Sequence, residues 1–457
     1  MVDKPESVVI IGGGLAGLAA GTGILSGGFS GELTLLEKGP SLGGRTNSLD
    51  YKGRTLDLGQ HMHVAGFDHY LNFLSEIGLE DKIRTQPKLN VEFRDDTGKV
   101  GKVESSPLPP PFHLAPSFLG FPFISPGQKF KLIRPLLTGL LMDRKKDGAD
   151  RSFGDWLRSK GASEESIEKL WNSILVPTLN AVADDVSLSM GMMIVERVLL
   201  DKEGGRLGRL NCPLSKIGEK AAGFIQDHGG KIKLNSRVKS VEIIGEGDHL
   251  VNLADGTTLD TDVLLSAVPG HQLSKILPKW TREGFSHPFW KLDWNSIINV
   301  HLFFEESVMS EEYFGYLDGS AGWVFNVNRN GTDPGNHICL TISNPGCLEE
   351  IDPKELVDMV IEDLSSPLPR IGQTSLEDSL ALYQPRATIR TTPKSHDLRP
   401  PQNSPFPGLF LAGDWTDTGW PSTMESAVRS GYSAAKGVLD YVLSDSSTED
   451  SLKSSSN

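Results

Sequence analysis

Three glycines and one carboxylate near the start of the chain have the types and spacing of a dinucleotide grip. In SVVIIGGGLAGLAAG, Gly12, Gly14 and Gly17 fit the pattern G-x-G-x-x-G. The first glycine permits a tight turn. The second lets the backbone approach a pyrophosphate, and the third lets a helix pack closely on a strand. Leu15 and Ala16 open that helix, whose free N–H groups favour an anion. Glu37, with Lys38 beside it, stands twenty residues after Gly17 at the end of a second apolar run. An acid at this distance accepts from the adenosine ribose hydroxyls and argues against the 2′-phosphate of NADP. Two further groups extend the site. In KGPSLGGRTNS, Gly43, Gly44 and Arg45 form a second glycine turn that carries a cation. In LDLGQHMH, Gly59, Gln60 and His61 end an apolar run and suit a backbone passing close to a flat ring. A flavin dinucleotide is long enough to need such contacts beyond the first turn, so these residues predict FAD over NAD.

The elements that must position these groups follow in order. Ser7–Ile11 reads as a strand buried on both faces, followed by the glycine turn, a helix, and the strand ELTLLEK. Strand, glycines, helix, strand and acid in sequence make a specific signal, where a lone G-x-G-x-x-G would be weak. Near the other end, PGLFLAGDWTDTGWPSTMESAVRSG reads as a strand, a turn, and a helix beginning near Met424. Ser422 and Glu425 have capping-box spacing. Ser426, Ala427, Ser430, Gly431, Ala434 and Ala435 keep that helix slim for close packing. The stretch 229–270 alternates apolar and polar residues between Gly and Asp-Gly turns and reads as a β-meander returning to the nucleotide domain. No second strand–glycine–helix unit appears, because GGRLGRL at Gly204 follows a charged stretch. Electrons should therefore pass between a substrate and a diffusible or membrane-borne donor or quinone, with no nicotinamide domain built in.

The bulk numbers set limits. The 457 residues allow two or three domains. A formal net charge of −14 argues against nucleic-acid binding, which needs a basic surface. Cys212, Cys339 and Cys347 have neither metal-ligand spacing nor an even disulfide framework, which predicts no metal and a reducing, cytoplasmic setting. No basic n-region leads into an apolar core, and no 18-residue apolar run predicts a membrane span. One segment stands apart. In PFISPGQKFKLIRPLLTGLLMDRKK, Ser125, Pro126 and Gln128 give a capped helix start. Phe130, Ile133, Leu137, Leu140 and Leu141 recur at helical spacing, and Pro135 should kink the helix. Lys129, Lys131, Arg134, Arg144, Lys145 and Lys146 are basic in an acidic chain. Two readings stand side by side: a patch on the inner face of an anionic membrane, or a helix facing the core. The serine-rich, acidic residues 444–457 read as a disordered tail.

With these motifs in view, the chain resembles the superfamily of flavin-containing amine oxidases and carotenoid desaturases. The matching parts are IGGGLAGLAAG, LLEKGPSLGGRTNS, DLGQH, NSRVKSVEI and LAGDWTDTGWPSTMESAVRSG. The resemblance implies an α/β fold: a Rossmann-type, glutathione-reductase-like FAD-binding domain with an inserted α+β substrate domain. The FAD domain would comprise 1–86, 212–270 and 383–443, and the substrate domain 87–211 and 271–382. The resemblance places Val238 at the adenine, Gly413 and Asp414 beside the ribityl chain, and Thr423 and Met424 where a helix N-terminus faces the flavin. Amine oxidases of this superfamily carry a lysine near the flavin N5, where this chain has Asn299, and a cage aromatic, where it has Thr423. No cysteine lies in 381–408, where some relatives attach flavin. Noncovalent FAD and a substrate other than an amine are therefore expected.

Within the superfamily, QPRATIRTTP and the RPPQNSPFPG that follows resemble plant-type carotenoid desaturases. DLGQHMHVAGFDHYLNFLSEIGLEDKI, SFGDWLRSKGASEESIEKLWNSILVPTLNA and NVHLFFEESVM are more similar to the hydroxysqualene dehydroxylase family. Trp420 and Ser426 depart from the Leu and Gly commoner in that family. The resemblance implies reductive loss of an allylic hydroxyl from a C30 isoprenoid, with an acid or ordered water protonating the leaving oxygen. His61 is a candidate for that acid or simply a hydrogen-bonding neighbour of the flavin. A desaturase would run electrons the other way, from substrate to flavin to quinone, and a flavin-binding scaffold would show no turnover. The motifs fix neither direction.

Overall fold

The computed structural model describes residues 6–131, 138, 151–245, 247–319, 322–327 and 335–454. Its centre is a five-stranded parallel sheet. β1 (Ser7–Ile11) lies in the middle, with β2 (Glu32–Leu36) and then Lys231–Lys233 on one side. Val263–Ser266 and then Leu409–Leu411 lie on the other. Unbroken aliphatic runs suit strands covered on both faces, and Val8 and Ile10 of β1 are fully buried. The strand order means that the chain leaves the sheet after β2 and returns twice from long excursions. The sheet thus draws on the segments 1–86, 212–270 and 383–443.

The stretch read as one meander divides. Lys231–Lys233 and Val263–Ser266 join the parallel sheet, while Val238–Gly245, Asp248–Leu253 and Thr258–Thr261 form a separate antiparallel sheet between them. Alternation alone does not separate an antiparallel strand from a short parallel one that borrows its burial from helices.

α1 (Leu15–Ser26) is buried on almost every side. The last helix, Met424–Ser454, lies against it. The small residues expected there do set the approach: a Cβ on Gly431 would stand 2.4 Å from the Ala16 carbonyl oxygen. Two expectations about this helix change. The Ser422–Glu425 capping box does not form. Thr423 caps the helix instead, its hydroxyl accepting from the Ser426 N–H at 3.3 Å. Ser422 donates to Asp414, and buried Glu425 accepts from the Tyr70 N–H at 2.9 Å, at the start of α2 (Asp68–Glu76). Spacing permitted the box, but two stronger tertiary partners took both side chains. The backbone also stays helical to Ser454, through most of the segment read as a disordered tail. Extending a formed helix costs far less than starting one.

The inserted segments build a seven-stranded sheet in the order Leu376–Ile389, Trp294–Phe304, His337–Ser343, Trp323–Asn326, Tyr313–Tyr316, Asn90–Arg94, Val100–Glu104. Its longest strand ends at Ile389, past the expected boundary at 382. Successive side chains of a strand point to opposite faces. In Trp294–Phe304, Ile298, Val300 and Leu302 pack under the helix Pro353–Leu364, whereas Ile297 and Asn299 face a large cavity. Helices Ser173–Leu179 and Leu188–Ile194 enclose the far end of that cavity, with π-helical turns at Ile167–Asn172 and Val195–Leu200.

The helix start at Ser125 forms as read: the Ser125 N–H donates to Gln128 Oε1 at 2.9 Å. Lys129 is not part of a basic outer face. It is buried, and its ammonium donates to the Leu119 carbonyl at 2.6 Å. Ile133, Arg134, Pro135, Leu137, Leu140, Leu141, Arg144, Lys145 and Lys146 lie outside the described residues. Among the described residues no helix is long and apolar enough to cross a membrane.

Candidate functional site

Every residue singled out above for the cofactor, Gly17 excepted, lines one cavity of about 910 Å³ that runs from the parallel sheet to the seven-stranded sheet. Gly17 does the packing expected of the third glycine. A Cβ there would lie 1.9 Å from the Gly12 carbonyl oxygen. Gly12 itself has φ +108°, a region that favours glycine. Where a Cβ on Gly14 would stand, no atom lies within 4 Å. The second glycine turn packs directly on the first. The Gly43 N–H donates to the Gly13 carbonyl at 2.8 Å, and a Cβ on Gly44 would come within 3.1 Å of the Gly14 Cα. Gly13 was present in the quoted motif and unassigned, and the contact of Gly43 with it was not foreseen, because a spacing rule does not show that two distant turns touch.

Glu37 is fixed by two backbone donors, the Gly13 N–H at 2.9 Å and the Gly39 N–H at 2.7 Å, with its carboxylate on the cavity wall. The carboxylate is thereby oriented before any ligand arrives. We expect Glu37→Ala to weaken FAD binding by tenfold or more. A lost hydrogen bond to a charged group is worth about 1.5–3 kcal/mol, and 1.4 kcal/mol is tenfold in affinity. Titration of the apoprotein with FAD checks this, and an unchanged dissociation constant would remove Glu37 from the site.

Arg45 ties three distant segments together. It donates to Asp414 Oδ1 at 2.5 Å and to the Ala387 carbonyl at 2.5 Å. Asp414 is 4% exposed and also accepts from Ser422. Gly413, at φ +138°, donates its N–H to Ser430 Oγ at 2.8 Å. The closing motif is thus locked to both the second glycine turn and the last helix, whose first residues Thr423 and Met424 reach the cavity. A helix N-terminus there favours negative charge.

Gly59, Gln60 and His61 meet the strand Trp294–Phe304 at Asn299. Asn299 donates to the Leu58 carbonyl at 3.3 Å and accepts from the Thr341 hydroxyl at 2.9 Å. With both groups paired, Asn299 is neutral and fixed where amine oxidases would carry a lysine. Burial, with the neighbouring Arg45 guanidinium, holds the His61 imidazole down at a pKa of about 4. It is therefore uncharged at neutral pH, which speaks against His61 as the proton donor. Val238 and Lys38 line the opposite end.

These residues fit a flavin dinucleotide. α1 has no side-chain cap and no acid in its first turn, so its N-terminal N–H groups stand open to an anion. The Gly14 edge is clear for a backbone approach. The buried Gln60 amide nitrogen on the cavity wall has no oxygen or nitrogen partner in the protein and only the Cys339 thiol beside it. The residues that would hold the adenosine ribose, the pyrophosphate and the ring all line this one cavity.

Comparison with known proteins agrees. The family model described as flavin containing amine oxidoreductase matches residues 15–439. The chain is 26% identical over 444 residues to a hydroxysqualene dehydroxylase of Zymomonas mobilis, covering 94% of this chain and 99% of that protein. It is 25% identical over 467 residues to the 15-cis-phytoene desaturase of Solanum lycopersicum, covering 96% and 79% respectively. Its fold matches a solved structure of putrescine oxidase with a TM-score of 0.72 at 16% identity, over 95% of this chain and 99% of that one. The cofactor is FAD and the protein is an FAD-dependent oxidoreductase: the chain belongs to the flavin containing amine oxidoreductase family.

Proposed function

We propose that this enzyme reductively removes the hydroxyl of hydroxysqualene to give squalene. The observation that carries this reading is the chemistry of the cavity beyond the cofactor end. Phe93, Phe121, Ile174, Met193, Trp323 and Phe325 make it an apolar space, suited to a long hydrocarbon. Among the described residues only two acids line the whole cavity, Glu37 and Asp414, and both are engaged. Five cations line it: Lys38, Arg45, Arg197, Arg237 and Arg386. A protonated amine would meet repulsion and no free carboxylate. The similarity to a hydroxysqualene dehydroxylase along almost the whole of both chains adds support.

FAD, when bound, supplies the two-electron chemistry. The chain's own side chains bind the hydrocarbon and exclude water from it. Asn299 and Gln60 offer neutral polar contacts at the junction of the two ends. The substrate gains two electrons and one proton net, with a second proton consumed as the hydroxyl leaves as water. Anaerobic incubation of the reduced holoprotein with hydroxysqualene, followed by mass spectrometry, should show squalene. Absence of squalene would count against the reading. The apolar cavity and the likeness to phytoene desaturases favour dehydrogenation of a polyene as the second reading, tested by oxidised holoprotein with phytoene and a quinone.

Two further properties belong to this proposal. None of the three cysteines lines the cavity, so FAD is held without a covalent bond. Acid precipitation should release all of the yellow chromophore, and colour retained in the pellet would contradict this. The substrate enters from a membrane surface. Phe112, Leu119 and Phe130 are 62%, 68% and 76% exposed on the stretch that also sends Phe121 to the cavity. Anionic vesicles should pellet the protein, with salt reversing part of the binding. Phe112→Ser with Phe130→Ser should stay in the supernatant. Equal pelleting of variant and parent would rule this surface out.

A further inference from the structure

Arg399 is the least expected charge near the site. It follows a short turn, Ser395–Leu398, and is 2% exposed. It forms no ion pair among the described residues. Its guanidinium is held by backbone carbonyls alone: Nε and Nη2 donate to Thr416 O at 3.0 and 2.6 Å, Nη1 to Trp420 O at 2.7 Å, and Nη2 to Asp414 O at 3.0 Å. All three carbonyls belong to the loop between Leu409–Leu411 and the last helix. Asp414, Trp415, Trp420, Pro421 and Ser422 of that loop line the cavity. Burial lowers the Arg399 pKa to about 10, so it stays charged at neutral pH, with Asp417 and Asp414 acting in the other direction.

Burying a cation without a counter-ion is costly, and a loop can be pinned by neutral donors. The carboxylate nearest in chemistry, Asp414, is already neutralised by Arg45 on the cavity side. With Asp414 paired to Arg45, the buried Arg399 charge sits behind the wall opposed by the partly exposed Asp417, and the N-terminus of the last helix also favours negative charge at the cavity.

We propose that Arg399 is a positioning residue that sets the reduction potential of bound FAD, by supplying a fixed positive charge that favours the reduced, negatively charged form. Electrostatic effects of this kind are strong because a protein interior screens charge less than water does. The inference rests on the FAD site and not on the identity of the substrate.

The test is a substrate-free redox titration of the holoprotein. Arg399→Gln should lower the ratio of reduced to oxidised FAD affinity by about tenfold, which is about 30 mV for a two-electron couple. Arg399→Lys keeps the charge and loses the fork. It should loosen FAD binding while holding the potential within a few-fold of the parent ratio. Asp417→Asn removes a partly exposed opposing charge and should shift the ratio a few-fold the other way. A parental potential in Arg399→Gln with FAD bound overturns the proposal. If Arg399→Gln fails to fold or to bind FAD, Asp417→Asn decides: a shift upward supports the proposal, and no shift overturns it.

Discussion

Gly17→Ala binds FAD on the order of a hundredfold more weakly than the parent. The added Cβ would stand 1.9 Å from the Gly12 carbonyl oxygen and 3.2 Å from the Ala267 Cβ. The first of these is backbone and cannot turn aside. α1 has little room to slide, because the last helix packs so closely on it that even a Cβ on Gly431 would stand 2.4 Å from the Ala16 carbonyl oxygen. The turn at Gly12 must give, and with it the line of N–H groups that faces the cavity. Overpacking of this kind costs about 1–3 kcal/mol or more, and 1.4 kcal/mol is tenfold in affinity. Gly14→Ala is the contrast. Its Cβ meets nothing within 4 Å in the protein, so the empty chain should keep its thermal midpoint and lose affinity only through the dinucleotide itself. Fluorescence titration and thermal melting of the two apoproteins check both statements. A Gly17→Ala variant with parental affinity would contradict the packing argument.

The glycines were legible because local geometry dictates them: a turn, a helix start and a strand must follow within a few residues. Glu37 was legible for the same reason. What the sequence hid is what depends on distant partners. The pairing of Arg45 with Asp414 joins residues 369 apart. Glu425 has the spacing of a capping residue and serves a different helix. Lys129 looked like one member of a basic face and is buried against Leu119. Arg399 opens the RPPQNSPFPG stretch that resembles the desaturases, but nothing in that likeness assigned the arginine a role, since its partners are carbonyls of a later loop. The inserted sheet was foreseen only as a substrate domain, because one of its pairings joins segments more than two hundred residues apart. Asn299 could be located by its likeness to amine oxidases, but its fixed, fully paired state required Leu58 and Thr341.

The second large effect concerns the direction of electron flow. Recognition of a protonated amine needs a carboxylate or aromatic faces to offset desolvation. The two acids on the cavity wall are occupied, and the position that would complete an aromatic cage is Thr423, whose hydroxyl caps a helix. A panel of mono- and polyamines should therefore give no hydrogen peroxide. The apolar end of the cavity imposes no charge on its occupant, which suits a C30 alcohol that must shed water in a dry space. Removal of the hydroxyl consumes electrons held by the enzyme, whereas desaturation delivers them. The two reactions thus leave opposite marks on the same bound flavin. The most direct measurement is the visible absorbance of the holoprotein under strict anaerobiosis. Hydroxysqualene added to the reduced protein should restore the oxidised flavin band, and phytoene added to the oxidised protein should leave that band intact. Bleaching of the oxidised band by phytoene, with no change of the reduced protein on adding hydroxysqualene, would contradict the account.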